Sequence, residues 1–140
     1  MIWMEAFLMS RLAETMDEII NIWGRELNIK IIFECYGEGT ITKVQSDTYD
    51  DFKKNKEEYL KKTYQAIVEY LKTNYAEMIG DGNINNIFKY VVPREIFIKQ
   101  YTKDKKSFGI ICHFKFDREN GIAVRFANGE VKMVGPEQIM

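Results

Sequence analysis

The chain has one histidine, two cysteines and two prolines, and each scarcity removes a class of chemistry. A general base needs a partner and a group that orients it, and the lone His113 has neither at recognisable spacing. Cys112 precedes it directly, but neighbouring strand residues point to opposite faces, so the two cannot form a dyad. Cys35 and Cys112 sit in strand-like runs far apart in the chain and read as buried free thiols of a reducing cytoplasm. One histidine and two scattered cysteines offer no ligand pair at i, i+3 or i, i+4, so no metal is expected. Asp81, Asn83 and Asn85 begin like a calcium loop, but Asn86 stands where the turn glycine belongs and Val92 where the glutamate belongs. No glycine-rich loop leads into a helix, and no cofactor is expected.

Excess charge is also missing. Twenty basic and twenty-one acidic residues leave a formal net charge of -1, whereas a nucleic-acid binder of this size carries a lopsided basic balance. The runs at Lys53, Lys61 and Lys103 have acids beside them and read as solvated faces. No window approaches the ~18 uninterrupted apolar residues of a membrane span. The opening MIWMEAFLM lacks a basic leader and carries Glu5, unlike a secretory signal. The expectation is a cytoplasmic protein that binds neither nucleic acid nor membrane.

What is present is a core. Apolar residues make up 46% of 140 and aromatics 14%, enough for a single domain spanning residues 1–140. Its clearest stretch is C-terminal. Phe108, Ile110, Cys112, Phe114 and Phe116 alternate with Gly109, Ile111, His113, Lys115 and Asp117; after a turn at Asp117–Gly121 the alternation resumes in Ile122, Val124 and Phe126. Asn128-Gly129 then supplies a type I′ hairpin signal, because both residues tolerate positive φ. A two-residue loop sets Ala127 opposite Glu130, Phe126 opposite Val131 and Val124 opposite Met133. The result is a three-stranded antiparallel meander with one apolar face.

Upstream, Ile2, Ala6, Met9, Ala13, Met16, Ile20 and Trp23 fall at steps of four and three, predicting a helix over 2–23 closed by Gly24. That helix packs on the sheet or on a second copy of the chain, which makes a homodimer a candidate. Leu27–Tyr36 alternates as a strand. From Thr42 to about Tyr75 the period is helical, as one bent helix or two broken near Asn55, with Ser46 and Asp47 as alternative caps for a later start. Arg94–Tyr101 is a further strand. The fold class is α+β: an antiparallel sheet of about five strands with helices packed on one face.

Two functional surfaces follow. The outward sheet face mixes Ile32, Phe97, Ile111 and Ala123 with Lys30, Lys99, His113, Lys115 and Arg125. An apolar patch rimmed by charge suits a protein partner, with Ile32, Phe97, Ile111, His113 and Arg125 as candidate contacts; the competing reading covers this face with the N-terminal helix. The alternative is a small-molecule or enzyme site lined by Tyr49 and Tyr64 and closed by the turn carrying Asp117 and Glu119. With no catalytic set in view, the balance leans away from an enzyme.

The order of landmarks ITKVQSDTYDDF, AIVEYL, VVPREIFI, ICHFKFDRENGIAV and NGEVKMVG resembles a family of small bacterial single-domain proteins of unknown function, some from polymorphic-toxin immunity-type gene neighbourhoods. Its members tend to show Thr-x-x-Gln-x-x-x-Tyr-x-x-Phe, matched by Thr42, Gln45, Tyr49 and Phe52, and Asp-x-Glu-His-Gly, matched by Asp117, Glu119 and Gly121. Asn120 stands where the family often has histidine and Ala123 where it often has glycine. The resemblance covers roughly residues 23–140 and implies the α+β fold and an immunity-type interaction role.

Overall fold

The computed structural model describes residues 14–35, 41–80, 84–100 and 106–140. One sheet holds six strands in chain order: β1 (Glu14–Ile22), β2 (Arg25–Phe33), β3 (Val91–Ile98), β4 (Phe108–Phe114), β5 (Ile122–Ala127) and β6 (Glu130–Gly135). Between β2 and β3 come helices α1 (Lys43–Lys54), α2 (Lys56–Asn74) and the short α3 (Ala76–Ile79). The sheet therefore has six strands where about five were expected, and it is not wholly antiparallel: β2 and β3 run parallel. The helical crossover is the reason, since it carries the chain over one face and returns it to the end where β2 began.

The helix expected over 2–23 is not there in its described part. Residues 14–22 form β1, paired along its whole length with β2 from Glu14↔Phe33 to Ile22↔Arg25. The steps of three and four through Met16, Ile20 and Trp23 coincide with an alternation that puts Ile20 and Ile22 in the core, and β-branched isoleucines favour the strand. Gly24 caps no helix. Trp23 (φ 52) and Gly24 (φ 88) make the two-residue turn, a left-handed pair suited to strand twist. A tryptophan in that region costs roughly 1–2 kcal/mol. Anchorage offsets this: Trp23 Nε1 donates to the Leu60 carbonyl at 2.9 Å, and the ring meets Tyr64 edge-on at 5.5 Å. The expected helix before residue 14 lies outside the described residues.

Thr42 is the N-cap of α1, not Ser46 or Asp47. Its hydroxyl accepts from Gln45 N, and Gln45 Oε1 accepts from Thr42 N, a complete capping box. At Asn55 the helical stretch breaks in two, and the Asn55 N–H closes α1 on the Asp51 carbonyl. Both helices lie on one sheet face. There Phe52, Tyr59, Ile67 and Leu71 meet Ile31, Ile96, Ile110 and Val124 in one buried cluster, with Tyr59 edge-on to Phe108 (5.1 Å) and Phe126 (5.2 Å).

The Asn128-Gly129 turn has the expected positive φ values (53 and 85) and sets Ala127↔Glu130 and Phe126↔Val131. Beyond that the register departs from expectation. A bulge pairs Arg125 with Met133 and Val124 with Val134, because the extra residue turns Val134 inward and leaves Met133 46% exposed.

Candidate interaction face

With the helices on one side, the outer face of β1–β5 can be read rung by rung from the register. One rung runs Thr15, Ile32, Phe97, Gly109, Arg125, and the next runs Asp17, Lys30, Glu95, Ile111, Ala123. Ile32 and Phe97 are neighbours and only half-buried. His113 is exposed beyond Ile111, opposite Val92.

A short segment changes the middle of this face. The 3-10 turn Glu137–Ile139 follows β6 and lays Met140 over Gly109. A Cβ on Gly109 would fall 2.2 Å from the Met140 sulfur, and one on Gly135 would fall 3.2 Å from Ile139 Cγ2; the two glycines leave the room that the strap fills. Polar anchors hold it. Arg94 bridges Glu95 (2.6 Å) and Glu137 (2.8 Å), Lys99 Nζ donates to the Met140 oxygen at 2.8 Å, and Gln138 donates to Asn120 Oδ1 at 2.7 Å. Ile111 is only 3% exposed and Ala123 fully buried, so Ile111 cannot touch a partner while the strap is seated. Among the described residues it is the C-terminal strap that covers this part of the face; the N-terminal helix expected to cover it lies outside the described residues. In exchange Met140 extends the rung, giving a row of Ile32, Phe97 and the methionine side chain.

The tyrosine alternative is not gathered into one place. Tyr49 is buried between Phe33 (5.7 Å, edge-on) and Phe52 (6.5 Å, stacked). Tyr64 lines a cavity of about 600 Å³ with Trp23, Leu60 and Lys61 at the hairpin tip. Asp117 accepts from the backbone and side chain of Asn120 in the β4–β5 turn, and Glu119 is exposed beside it. Among the described residues no cavity joins Tyr49, Tyr64 and Asp117.

Electrostatics inside the helical layer are structural. Tyr59 donates a short bond (2.5 Å) to Asp51, which also accepts from Asn55 (3.0 Å) and pairs with Lys106 (3.4 Å). Burial first and the Asp51 carboxylate second push the Tyr59 phenol well above the usual tyrosine range. Burial likewise raises Tyr49, helped by the nearby Glu18 carboxylate, although its hydroxyl makes no hydrogen bond of acceptable geometry. Burial holds the Cys112 thiol far above a free thiol, with Arg94 opposing weakly. Both cysteines are buried, and the Cys35 thiol donates to the Phe33 carbonyl at 3.3 Å. Among the described residues no group of three or more His, Cys, Asp or Glu could hold a metal ion, and no helix is long and apolar enough to cross a membrane.

Sequence reasoning missed the basic residues Lys89 and Arg118, which join His113 and Lys115 around a separate hollow. The outward pair His113 and Lys115 was visible in the strand alternation; their neighbours come from a non-local turn that no short pattern announces.

The chain belongs to the family described as domain of unknown function (DUF6985), which matches residues 8–140. The match begins upstream of the stretch that carries the resemblance. No curated protein and no solved structure matches the chain.

Proposed function

We propose that this DUF6985 domain is a non-enzymatic protein-interaction module whose partner seats on the outer sheet face. The observation that carries this reading is the row of Ile32, Phe97 and Met140. Ile32 and Phe97 pair on adjacent strands, and Met140 lies over Gly109, the next residue of that rung; all three are half-buried. Lys30, Glu95 and Arg125 surround them on the register, and Lys99 reaches the Met140 oxygen. An apolar centre with a charged rim is the anatomy of a protein interface. Further along, Ile19 of the edge strand is 74% exposed, and an edge strand offers main-chain groups to a partner. His113 and Arg125 belong to the rim. The immunity-type role implied by the resemblance is one form of this activity, since blocking a partner needs a rigid complementary face and no catalytic set. A bacterial cytoplasm suits the two buried cysteines.

The test is capture from the native cell by the tagged chain, followed by light scattering. Ile32→Lys with Phe97→Glu is expected to lose a stoichiometric protein partner while the urea midpoint stays within experimental error. Retention of the partner by that double variant overturns the reading, and so does a captured species that is only a second copy of the 16.5 kDa chain.

A further inference from the structure

We infer that the hollow between the entry to β3 and the exit of β4 is a binding site for a small polyanion, an organic molecule carrying phosphate or several carboxylates. The hollow encloses about 500 Å³ and is lined by Lys89, His113, Lys115 and Arg118 with Phe88 and Tyr90. This volume lies in the range of small-ligand sites, roughly 300–1,000 Å³.

Three separate segments bring these residues together. Asn86 caps the 3-10 turn Ile87–Lys89 by accepting from Phe88 N at 3.1 Å, which fixes Phe88 and Lys89 just ahead of β3. Lys115 N donates to the Tyr90 carbonyl at 2.8 Å, so the β3–β4 pairing runs one step past Val91↔Phe114 and sets Lys115 beside Tyr90. Arg118 enters from the turn before β5. The aromatic walls are held in place: Phe88 lies under the Arg25 guanidinium (4.0 Å) and against Trp23 (5.8 Å), and Tyr90 lies against Phe116 (5.5 Å). A preformed site of this kind spends little free energy on ordering when it binds.

Charge names the ligand. Among the described residues no carboxylate lines the hollow. Among the described residues Lys89, His113, Lys115, Arg118 and the adjacent Arg25 make no ion pair, although the chain as a whole has one more acid than base. Cations elsewhere that face a groove do meet acids, as Lys62 meets Glu58 and Glu130 and Lys106 meets Asp51. Other lysines unpaired among the described residues, such as Lys54 and Lys72, stand singly on exposed helix faces. What sets the hollow apart is that four basic side chains line it together. Converging cations with low-dielectric walls and no carboxylate concentrate anions, and an arginine with two lysines suits a ligand bearing at least two negative charges. Phosphate esters and polycarboxylates share that chemistry. This site shares only His113 with the rim of the Ile32–Phe97 row, and its anion chemistry does not depend on a protein seating on that row.

The experiment is calorimetry and thermal unfolding of the full chain with AMP, inorganic pyrophosphate and citrate, each against sodium chloride of equal ionic strength. The comparison variant is Lys115→Ser with Arg118→Ser; both side chains are exposed, and an unchanged ligand-free midpoint verifies its fold. At least one probe is expected to bind the wild type with Kd below about 1 mM and to weaken about tenfold or more in the variant. Binding of AMP or pyrophosphate without citrate assigns a phosphate ligand, and the reverse assigns a polycarboxylate. Shifts no larger than the chloride control, equal binding by the variant, or variant-sensitive binding of a polyglutamate chain alone would each overturn the proposal.

Discussion

Replacing Gln45 with leucine tests whether one buried amide fastens the crossover to the parallel strand pair. Gln45 is wholly buried; its Nε2 donates to the carbonyls of Glu34 (2.7 Å) and Ile98 (3.1 Å), and its Oε1 accepts from Thr42 N at 2.9 Å. Leucine nearly preserves volume, so the packing term is small. Ile98 O still accepts from Glu34 N at 2.9 Å, whereas Glu34 O and Thr42 N lose the partners just described. Losing the bonds to these two backbone groups at about 1–3 kcal/mol each gives an expected loss of about 2–6 kcal/mol, a large share of a typical 5–15 kcal/mol. Thr42→Ala removes only the reciprocal cap and is expected to cost about 1 kcal/mol. Urea unfolding followed by tryptophan fluorescence reads both. A Gln45→Leu loss below about 1 kcal/mol at unchanged m, or a larger loss for Thr42→Ala, refutes the clamp.

Two phenols with similar burial have opposite expectations. Tyr59→Phe forfeits the Asp51 bond and is expected to cost about 1–2 kcal/mol, while Tyr49→Phe removes an unpartnered hydroxyl and is expected to be neutral or stabilising by up to about 1 kcal/mol. Because both folded pKa values are raised above the unfolded value of 10.0, their contribution is present below pH 10 and lost as pH rises beyond it; early ionisation of all phenols at 295 nm in the folded chain contradicts this. Gly121→Ala puts a Cβ 2.7 Å from the Cys112 carbonyl at φ +64, for an expected loss of about 2–4 kcal/mol. Gly24→Ala at φ +88 meets open space and is expected to lose about 1 kcal/mol, so equal losses in thermal melts would leave the contact without effect. With Cys35 and Cys112 at 0% exposure, neither thiol is expected to react with a disulfide reagent at pH 8 until urea unfolds the chain; native labelling at a free-thiol rate contradicts the burial.

The sequence made local signals legible and hid the non-local ones. Asn128-Gly129 announced its own turn and the first rungs beside it, Thr42 and Gln45 marked a helix start, and the lapse in the stripe near Asn55 left a bend and a break equally open. The first strand was hidden because Met16 and Ile20 satisfy the helical and extended periods together; the turn residue that decides between them is a tryptophan at φ 52, where composition favours asparagine or glycine. Parallel pairing of β2 with β3 depends on where a crossover returns the chain, which no window contains. The strap was illegible for the same reason. Gly109 reads as one more position in an alternating strand until Met140, 31 residues later, is found occupying the space of its side chain.

That contrast also bears on where function resides. The Thr42, Gln45, Tyr49 and Phe52 pattern that carries the resemblance is fully engaged in folding: cap, strand clamp, and two rings in the aromatic layer. Asp117 and Gly121 serve the turn, and Asn120, where the family often has histidine, ties that turn to the strap through Gln138 and Glu137 N. A motif whose members are consumed by the core and its turns specifies an architecture and leaves chemistry to positions outside it. The positions proposed above for that role are the outer row at Ile32 and Phe97 and the cations around His113. Both sit on rigid strands, or on a capped turn, where their geometry is set by the part of the chain the motif builds.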